Sequence, residues 1–548
     1  MERTTVYRAR TIRTMNPSLP VADTVVVRGS RILEVGTAES IRPWFSGQTP
    51  EIDDTFRDAV LMPGFIDPHV HPALASILLP MHWITGVDWK LPGRSLTSVR
   101  GQNEFLNRLT EIESQLSEGE PLVSWGYHEL WHGPVSGGLL SRISNRRPIV
   151  VWHRGFHSLY LNDAAMAWAG ITREDAERHP QVDAERQLFY ESGMAMVLAR
   201  LRSYLLAPER IKAGYRAFKD VIRAGGNTTI GDMAFGKIGG EELEWQLCQE
   251  TFDESTPFRV QMTPVGIPFG ADSVDIPARM AHLKSLRAKN TARAHFGKSV
   301  KLFADGGFFS NLMQLHWPGR IEGQDGHWIT SPELLRQAAE AYWDAGDVIH
   351  IHTSADLGLE LVLDTLEHLQ ARRPRFGRKL VIEHLGVSTP EQIQRAAELG
   401  ANASVNIYYV HELSDRFYKC ILGYERASQM SRLGTLTRNN IRFSLHSDFS
   451  MAPAAPLVNA WVAVNRLCET GKVMGELERI SVEQAMKAIT IDAAYILGMD
   501  GEVGSIRAGK KADFAVLDSD PFEVPPERIR EIKVLGTVFE GKYFPNSF

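Results

Sequence analysis

A chain of 548 residues with 43 % hydrophobic content carries enough apolar material for one large domain and a smaller companion. Its 60 basic and 66 acidic residues leave a net charge of −6, so no broad positive field attracts phosphate backbones or anionic lipid, and neither nucleic acid nor membrane is expected as a partner. Three widely spaced cysteines, Cys248, Cys420 and Cys468, match neither a thiolate metal site nor a disulfide framework, which predicts free thiols in a reducing cytoplasm. Met1 to Thr5 run directly into alternating residues without a basic-then-apolar leader, so no signal peptide is expected. The most apolar stretch, Ala73 to Val87, is broken by Pro80 and His82 and is shorter than a bilayer span.

The elements begin with short strands at Thr5 to Tyr7, Ala22 to Val27 and Arg31 to Val35. The chain ends the same way, at Ala512 to Asp518 and Val534 to Phe539, with a Gly541 turn before Tyr543. Half-buried strands at both termini cannot each cover an apolar face alone, so residues 1–59 and 497–548 are expected to build one small sheet-based domain. Between them, apolar runs alternate with turns and helical stretches. Strands are predicted at Val60 to Ile66, Asn227 to Gly231, Phe258 to Pro264, Ser299 to Ala304, Asp347 to His352, Leu380 to His384, Ala401 to Ile407 and Ile441 to His446. Eight such runs predict an α/β fold, a (β/α)8 TIM barrel over 60–496, with chemistry at the C-terminal strand ends. Roughly 160 residues separate the first two runs, far more than a βα loop needs, which implies an inserted subdomain at about 74–220. It holds Trp83, Trp89, Trp125, Trp131, Trp152 and Trp168, read first as the insertion's own core and second as the lining of a substrate pocket.

Leu61 to His71 place His69 and His71 two apart at the end of an apolar strand, where period two puts both rings on one face. Spacing alone is weak, because 18 histidines in 548 positions give roughly 0.6 such pairs by chance, and His350 and His352 form another. Four further strand ends repeat the theme: Lys301 to Gly307, His350 to Thr353, Glu383 with His384, and His446 to Asp448. Each has a plain alternative: a strand-end histidine can be a hydrogen-bonded core residue, a lysine can snorkel, and an aspartate can cap a helix. Imidazoles and carboxylates at five strand ends of one barrel argue collectively for a metal site.

Over nearly its whole length the chain resembles the amidohydrolase superfamily, in the branch that includes N-substituted formamide deformylases. The resemblance is carried by Pro63 to His71, by Val300 to Gly306, by His352 with Asp356 four residues on, and by Ile382-Glu383-His384. Gly155-Phe156-His157-Ser158 leading to Asn162 carries it further, and Gly501 to Asp513 resembles the family's C-terminal signature, which implies that the small domain of residues 1–59 and 497–548 is a β-sandwich. The resemblance selects His352 over His350, which becomes a supporting or core residue. It implies that His69, His71 and Asp448 hold one metal and His352 and His384 another, with Lys301 bridging both as a carbamate. One or two divalent cations are thereby expected, zinc foremost. The implied reaction is hydrolysis of an amide, formamide or carbamoyl C–N bond by a metal-activated hydroxide, with Asp448 as the proton carrier.

The chain departs from the branch at Gly307-Phe308-Phe309-Ser310, at Thr353-Ser354-Ala355 and at Asn406-Ile407-Tyr408-Tyr409. Specificity therefore does not transfer from a relative. Phe308, Phe309, Trp317 and Trp328 suggest a small apolar or aromatic substrate, and His157, Phe308 and Trp317 are the residues expected to bind it. A small molecule is the expected partner, and self-association is left open. Two alternatives stand beside this reading: a mononuclear deaminase of the same superfamily, and a metal-free binding or scaffold protein.

Overall fold

The computed structural model describes residues 3–45, 50–269, 271–323 and 325–546. The architecture is mixed α/β, and the chain divides into two compact units: Met1–His71, Lys219–Gly306 and Met313–Phe548 form the first, Pro72–Phe218 with Gly307–Leu312 the second. Among the described residues no helix is long and apolar enough to cross a membrane.

In the first unit both chain ends share one sheet, in the order Lys542–Pro545, Val534–Phe539, Phe514–Leu517, Val60–Pro63, Thr4–Arg13, Val21–Arg28, Arg31–Gly36. Its apolar face buries Ile12, Val25, Val27, Leu61, Phe514 and Val516. The run predicted as one strand, Val60 to Ile66, is in fact two. Val60–Pro63 pairs antiparallel with Phe514–Leu517, while Phe65–Val70 pairs parallel with Asn227–Phe235. The break falls at Gly64, where a Cβ would lie 2.1 Å from Thr228 Oγ1. Both halves are fully buried, so hydropathy shows one uninterrupted apolar run and hides the change of sheet.

Eight strands of this unit run parallel in chain order: Phe65–Val70, Asn227–Phe235, Arg259–Pro264, Ser299–Phe303, Val348–Thr353, Leu380–His384, Asn402–Val405 and Phe443–Leu445. We number them first to eighth. The first three belong to one sheet, which Ala294–Phe296 extends, and the last five to another. A parallel bridge between Val265 and Lys301 links the third to the fourth, and one between Val70 and Phe449 links the first to the segment after the eighth. The strands are buried along almost their whole length, which is why they read as continuous apolar runs. The intervening helices are amphipathic, as in Asp356–Arg372, which buries Leu359, Val362, Leu363, Leu366 and Leu369 at three- and four-residue spacing.

The second unit has a six-stranded sheet in the order Val182–Asp183, Leu188–Tyr190, Ser158–Leu161, Ile149–His153, Leu122–Tyr127, His82–Trp83. Trp83, Trp89, Trp125, Trp131 and Trp152 are buried, Trp83 lying edge-on to Trp89 and Trp125 at 5.1 and 4.6 Å; Trp168 is partly exposed. Asn162 ties this unit together. Its Oδ1 accepts from Ile149 N and Ala165 N, and its Nδ2 donates to the carbonyls of Ser144 and Arg147.

Candidate metal centre

The parallel strands deliver the candidate ligands by simple alternation in most cases. Lys301 and Phe303 share a face of the fourth strand, and His350 and His352 share a face of the fifth. Glu383 and His384 are sequence neighbours and would ordinarily point to opposite faces. His384 adopts φ +75°, Leu385 +50°, and this break in the pleat lets both side chains serve one cluster. Asp448, beyond the eighth strand, also has positive φ, and its backbone N–H donates to His69 O at 2.9 Å.

The result is a buried nest of imidazoles. Ring centroids lie 4.6 Å apart for His69 and His384, 4.4 Å for His352 and His384, 4.5 Å for His69 and His446, and 5.1 Å for His69 and His71. His71 Nε2 stands 3.0 Å from Asp448 Oδ1, and His384 Nδ1 stands 3.7 Å from Asp448 Oδ2. Two overlapping trios, His69 with His71 and Asp448 and His69 with His384 and His446, each offer ligand atoms within 4.8 Å of one another.

Electrostatics favour neutral, lone-pair-bearing imidazoles. Burial, reinforced by the surrounding positive charges, lowers the pKa of His69 and His384 well below normal; burial also lowers His446 to about 4, against the opposing charges of Glu383 and Asp448. Burial also lowers Lys301 to about 8. Glu383 is the counterweight: burial pushes its pKa up, but the His350 hydrogen bond and the charge of Lys301 outweigh this and hold it at about 2. Its two oxygens accept from His69 Nδ1 and from His350 Nδ1, both at 2.6 Å. A histidine whose Nδ1–H is held by a carboxylate presents Nε2 outward, the usual arrangement behind a metal-binding imidazole.

Two buried atoms, His69 Nε2 and Lys301 Nζ, have no hydrogen-bond partner among the described residues. A buried polar atom left unsatisfied is costly, so their convergence beside His71, His352, His384 and Asp448 fits a divalent cation held by nitrogen and oxygen donors.

The strand-end motifs left three contributors without a role. His446, two residues before Asp448, has Nε2 3.3 Å from His384 Nδ1 and Nδ1 2.8 Å from Ser404 Oγ. Its spacing from Asp448 repeats that of His69 and His71 and was a usable signal. Glu383 stood inside a quoted motif without a role. Asp67 accepts from the N–H and hydroxyl of Ser447, tying the first strand to the end of the eighth, and burial raises its pKa to about 7. No local pattern announces that contact.

The residues expected to bind substrate are each placed within their own unit. Trp317 is 94 % exposed. His157 and Phe308 belong to the second unit, where His157 Nδ1 donates to Glu191 at 2.9 Å and Phe308 is buried. That unit has its own trio, His128, Glu129 and His153, but its imidazole nitrogens are engaged by Leu130 N, Phe309 O, Gly155 N and the Glu129 carboxylate.

Comparison with known proteins decides the family. The model of the amidohydrolase family matches residues 57–544, nearly the whole chain. The chain belongs to the amidohydrolase family. Among curated relatives, the protein LONG AFTER FAR-RED 3 of Arabidopsis thaliana is 26 % identical, covering 97 % of this chain and 90 % of the relative. The N-substituted formamide deformylase of Arthrobacter pascens is 22 % identical, covering 97 % and 96 %. Among solved structures, an uncharacterized metal-dependent hydrolase from Pyrococcus horikoshii superposes with a TM-score of 0.72 at 19 % identity, covering 95 % of this chain and 99 % of that one. The fold is therefore an amidohydrolase fold, and the protein is a hydrolase.

Proposed function

We propose that this amidohydrolase hydrolyses an amide-type C–N bond of a small apolar or aromatic substrate, using one or two divalent cations, zinc foremost. His69, His71, Lys301, His352, His384 and Asp448 would hold them, with His446 as a further candidate. The observation that carries the reading is the pair of orphaned buried atoms, His69 Nε2 and Lys301 Nζ, inside a cluster of imidazoles and one carboxylate. The bridged run of eight parallel strands supports a closed (β/α)8 barrel with this cluster at its C-terminal end, and the sheet shared by the termini supports a companion β-sandwich.

A bound divalent cation supplies Lewis acidity toward a carbonyl oxygen and lowers the pKa of water. The chain's own residues do the rest. Asp448, 3.0 Å from His71 Nε2, accepts a proton from the attacking water as its oxygen adds to the carbonyl carbon, and returns it to the amine nitrogen as the C–N bond breaks. Glu383 fixes the tautomer of His69. Lys301 reacts as the neutral amine, its Nζ adding to CO2 with loss of one proton, and becomes an oxygen ligand in place of an ammonium that neighbouring cations would repel.

Elemental analysis, chelation, and hydrolysis of a panel of aryl and alkyl amides, formamides, lactams and ureas test this together. Bound divalent metal, activity on at least one of these classes and loss of that activity on chelation are expected; full activity in metal-free protein overturns the reading. Lys301→Ala should lose metal and activity together, with partial recovery in short carboxylic acids. A count of one metal per fully active chain favours the mononuclear alternative.

A further inference from the structure

The loop after the second parallel strand is pinned by a buried carboxylate. Glu244, 3 % exposed, accepts from the backbone N–H groups of Gly236, Ile238 and Gly239 at 2.7, 2.8 and 3.1 Å. Gly236 has φ +91°, and a Cβ there would lie 2.4 Å from Glu241 Cγ, so glycine makes the turn. Lys237 sits in the middle of this clamp. Its own N–H returns to Ala234 O at 3.1 Å, while its side chain is exposed. Three hydrogen bonds to a buried carboxylate are a large investment for a lysine that serves solubility alone.

The position of the ammonium is set by two aromatic rings. Lys237 Nζ lies 4.1 Å from the centroid of Phe269 and 5.2 Å from that of Phe303. Phe303 is also the neighbour of the candidate ligands: Lys301 Nζ is 5.6 Å from its centroid and the His352 ring 5.9 Å. Phe269 meets Phe303 edge-on at 5.5 Å and is 43 % exposed, an open apolar surface beside the cation. One ring thus separates the metal-ligand cluster from a preorganised positive charge, with a second ring beside it.

We infer that Lys237 is a substrate-recognition residue and that the substrate is an amide carrying a carboxylate close to the scissile bond, of the N-acyl amino acid class. The carboxylate meets Lys237 Nζ, and the apolar portion lies against Phe269. This rests on the amide-hydrolase reading above and narrows it.

The test uses N-formyl, N-acetyl and N-benzoyl derivatives of glycine and phenylalanine, each as the free carboxylate and as the uncharged amino alcohol. Hydrolysis gives kcat/KM, and calorimetry gives Kd. The wild-type protein should prefer the carboxylate by about 10- to 100-fold, the range of a charge-assisted hydrogen bond. Lys237→Met should bring the carboxylate-to-alcohol ratio close to one, and Lys237→Arg should keep most of the preference. Because the readout is a ratio, a variant that merely loosens the loop lowers both members and leaves it unchanged. Absence of a carboxylate preference in the wild type, or a preference that survives Lys237→Met, overturns the inference. Preferential binding of the carboxylates without cleavage of any amide would instead overturn the amide-hydrolase reading and leave Lys237 as an anion site.

Discussion

Glu383 shows how one side chain governs several ligands. It accepts from His69 and His350 at once, so its charge orients an imidazole of the cluster and braces a second histidine behind it. Glu383→Gln keeps the volume but can accept on only one oxygen and turns an amide N–H toward the other histidine. Metal affinity should fall about 10- to 100-fold, the usual cost of losing a supporting carboxylate, as read from metal content after dialysis against graded chelator. Asp448→Asn separates proton transfer from architecture. The amide preserves shape and one oxygen, so melting temperature should change little while kcat falls by ~10²–10⁴. A variant that retains its metal and loses less than about tenfold in kcat would remove Asp448 from proton transfer and leave it as a ligand or helix cap.

At the scale of the element, packing between adjacent strands positions the ligands. Gly231 of the second strand faces the first so closely that a Cβ would stand 2.2 Å from Pro68 O and 2.8 Å from Leu497 Cδ2. Pro68 immediately precedes His69, so Gly231→Ala should push the first strand away from its neighbour, cost about 1–3 kcal/mol by overpacking and lower metal occupancy as well. Thermal unfolding and elemental analysis of the same preparation check both; normal occupancy with a lowered melting temperature would show that strain stops short of His69. The apolar runs that form these strands were readable because they are buried along their length and bounded by polar turns. The division of Val60 to Val70 between two sheets was not, because burial on both sides of Gly64 erases the hydropathy contrast a boundary needs.

Across the whole molecule, ionic contacts join the third strand to the sheet built from the termini. Arg259 pairs with Asp513 in a buried contact and with Glu540 at 3.3 Å, and Lys511 Nζ reaches Glu540 at 2.8 Å. Asp513→Asn leaves the Arg259 guanidinium without its buried countercharge and should cost about 3–5 kcal/mol in urea unfolding. Glu540 adds a pH dependence. Burial pushes its pKa up, but the Lys511 hydrogen bond and the charge of Arg259 outweigh this and place it below the ordinary 4.5. Its contribution is full above pH 4.5 and is lost as pH falls through the depressed folded value. Glu540→Gln should therefore flatten the stability loss below pH 4.5 relative to wild type; parallel acid titrations of the two would refute this assignment.

What the sequence by itself determined is local. Apolar runs with turn residues between them specified alternating strands and helices, period two put His69 with His71 and His350 with His352, and the motifs at the strand ends pointed to the amidohydrolase family that the match over residues 57–544 then established. What only the tertiary structure decided is which of these residues meet. His69 and Glu383 are 314 positions apart and Asp67 and Ser447 are 380 apart, yet each pair is hydrogen-bonded because parallel pairing and the Val70–Phe449 bridge bring the first strand beside the end of the eighth. No spacing rule encodes such contacts. The same holds for Lys237, an unremarked lysine in the sequence, whose place beside Phe303 depends on a turn clamped by Glu244 and on the packing of Phe269 against a strand further along the chain.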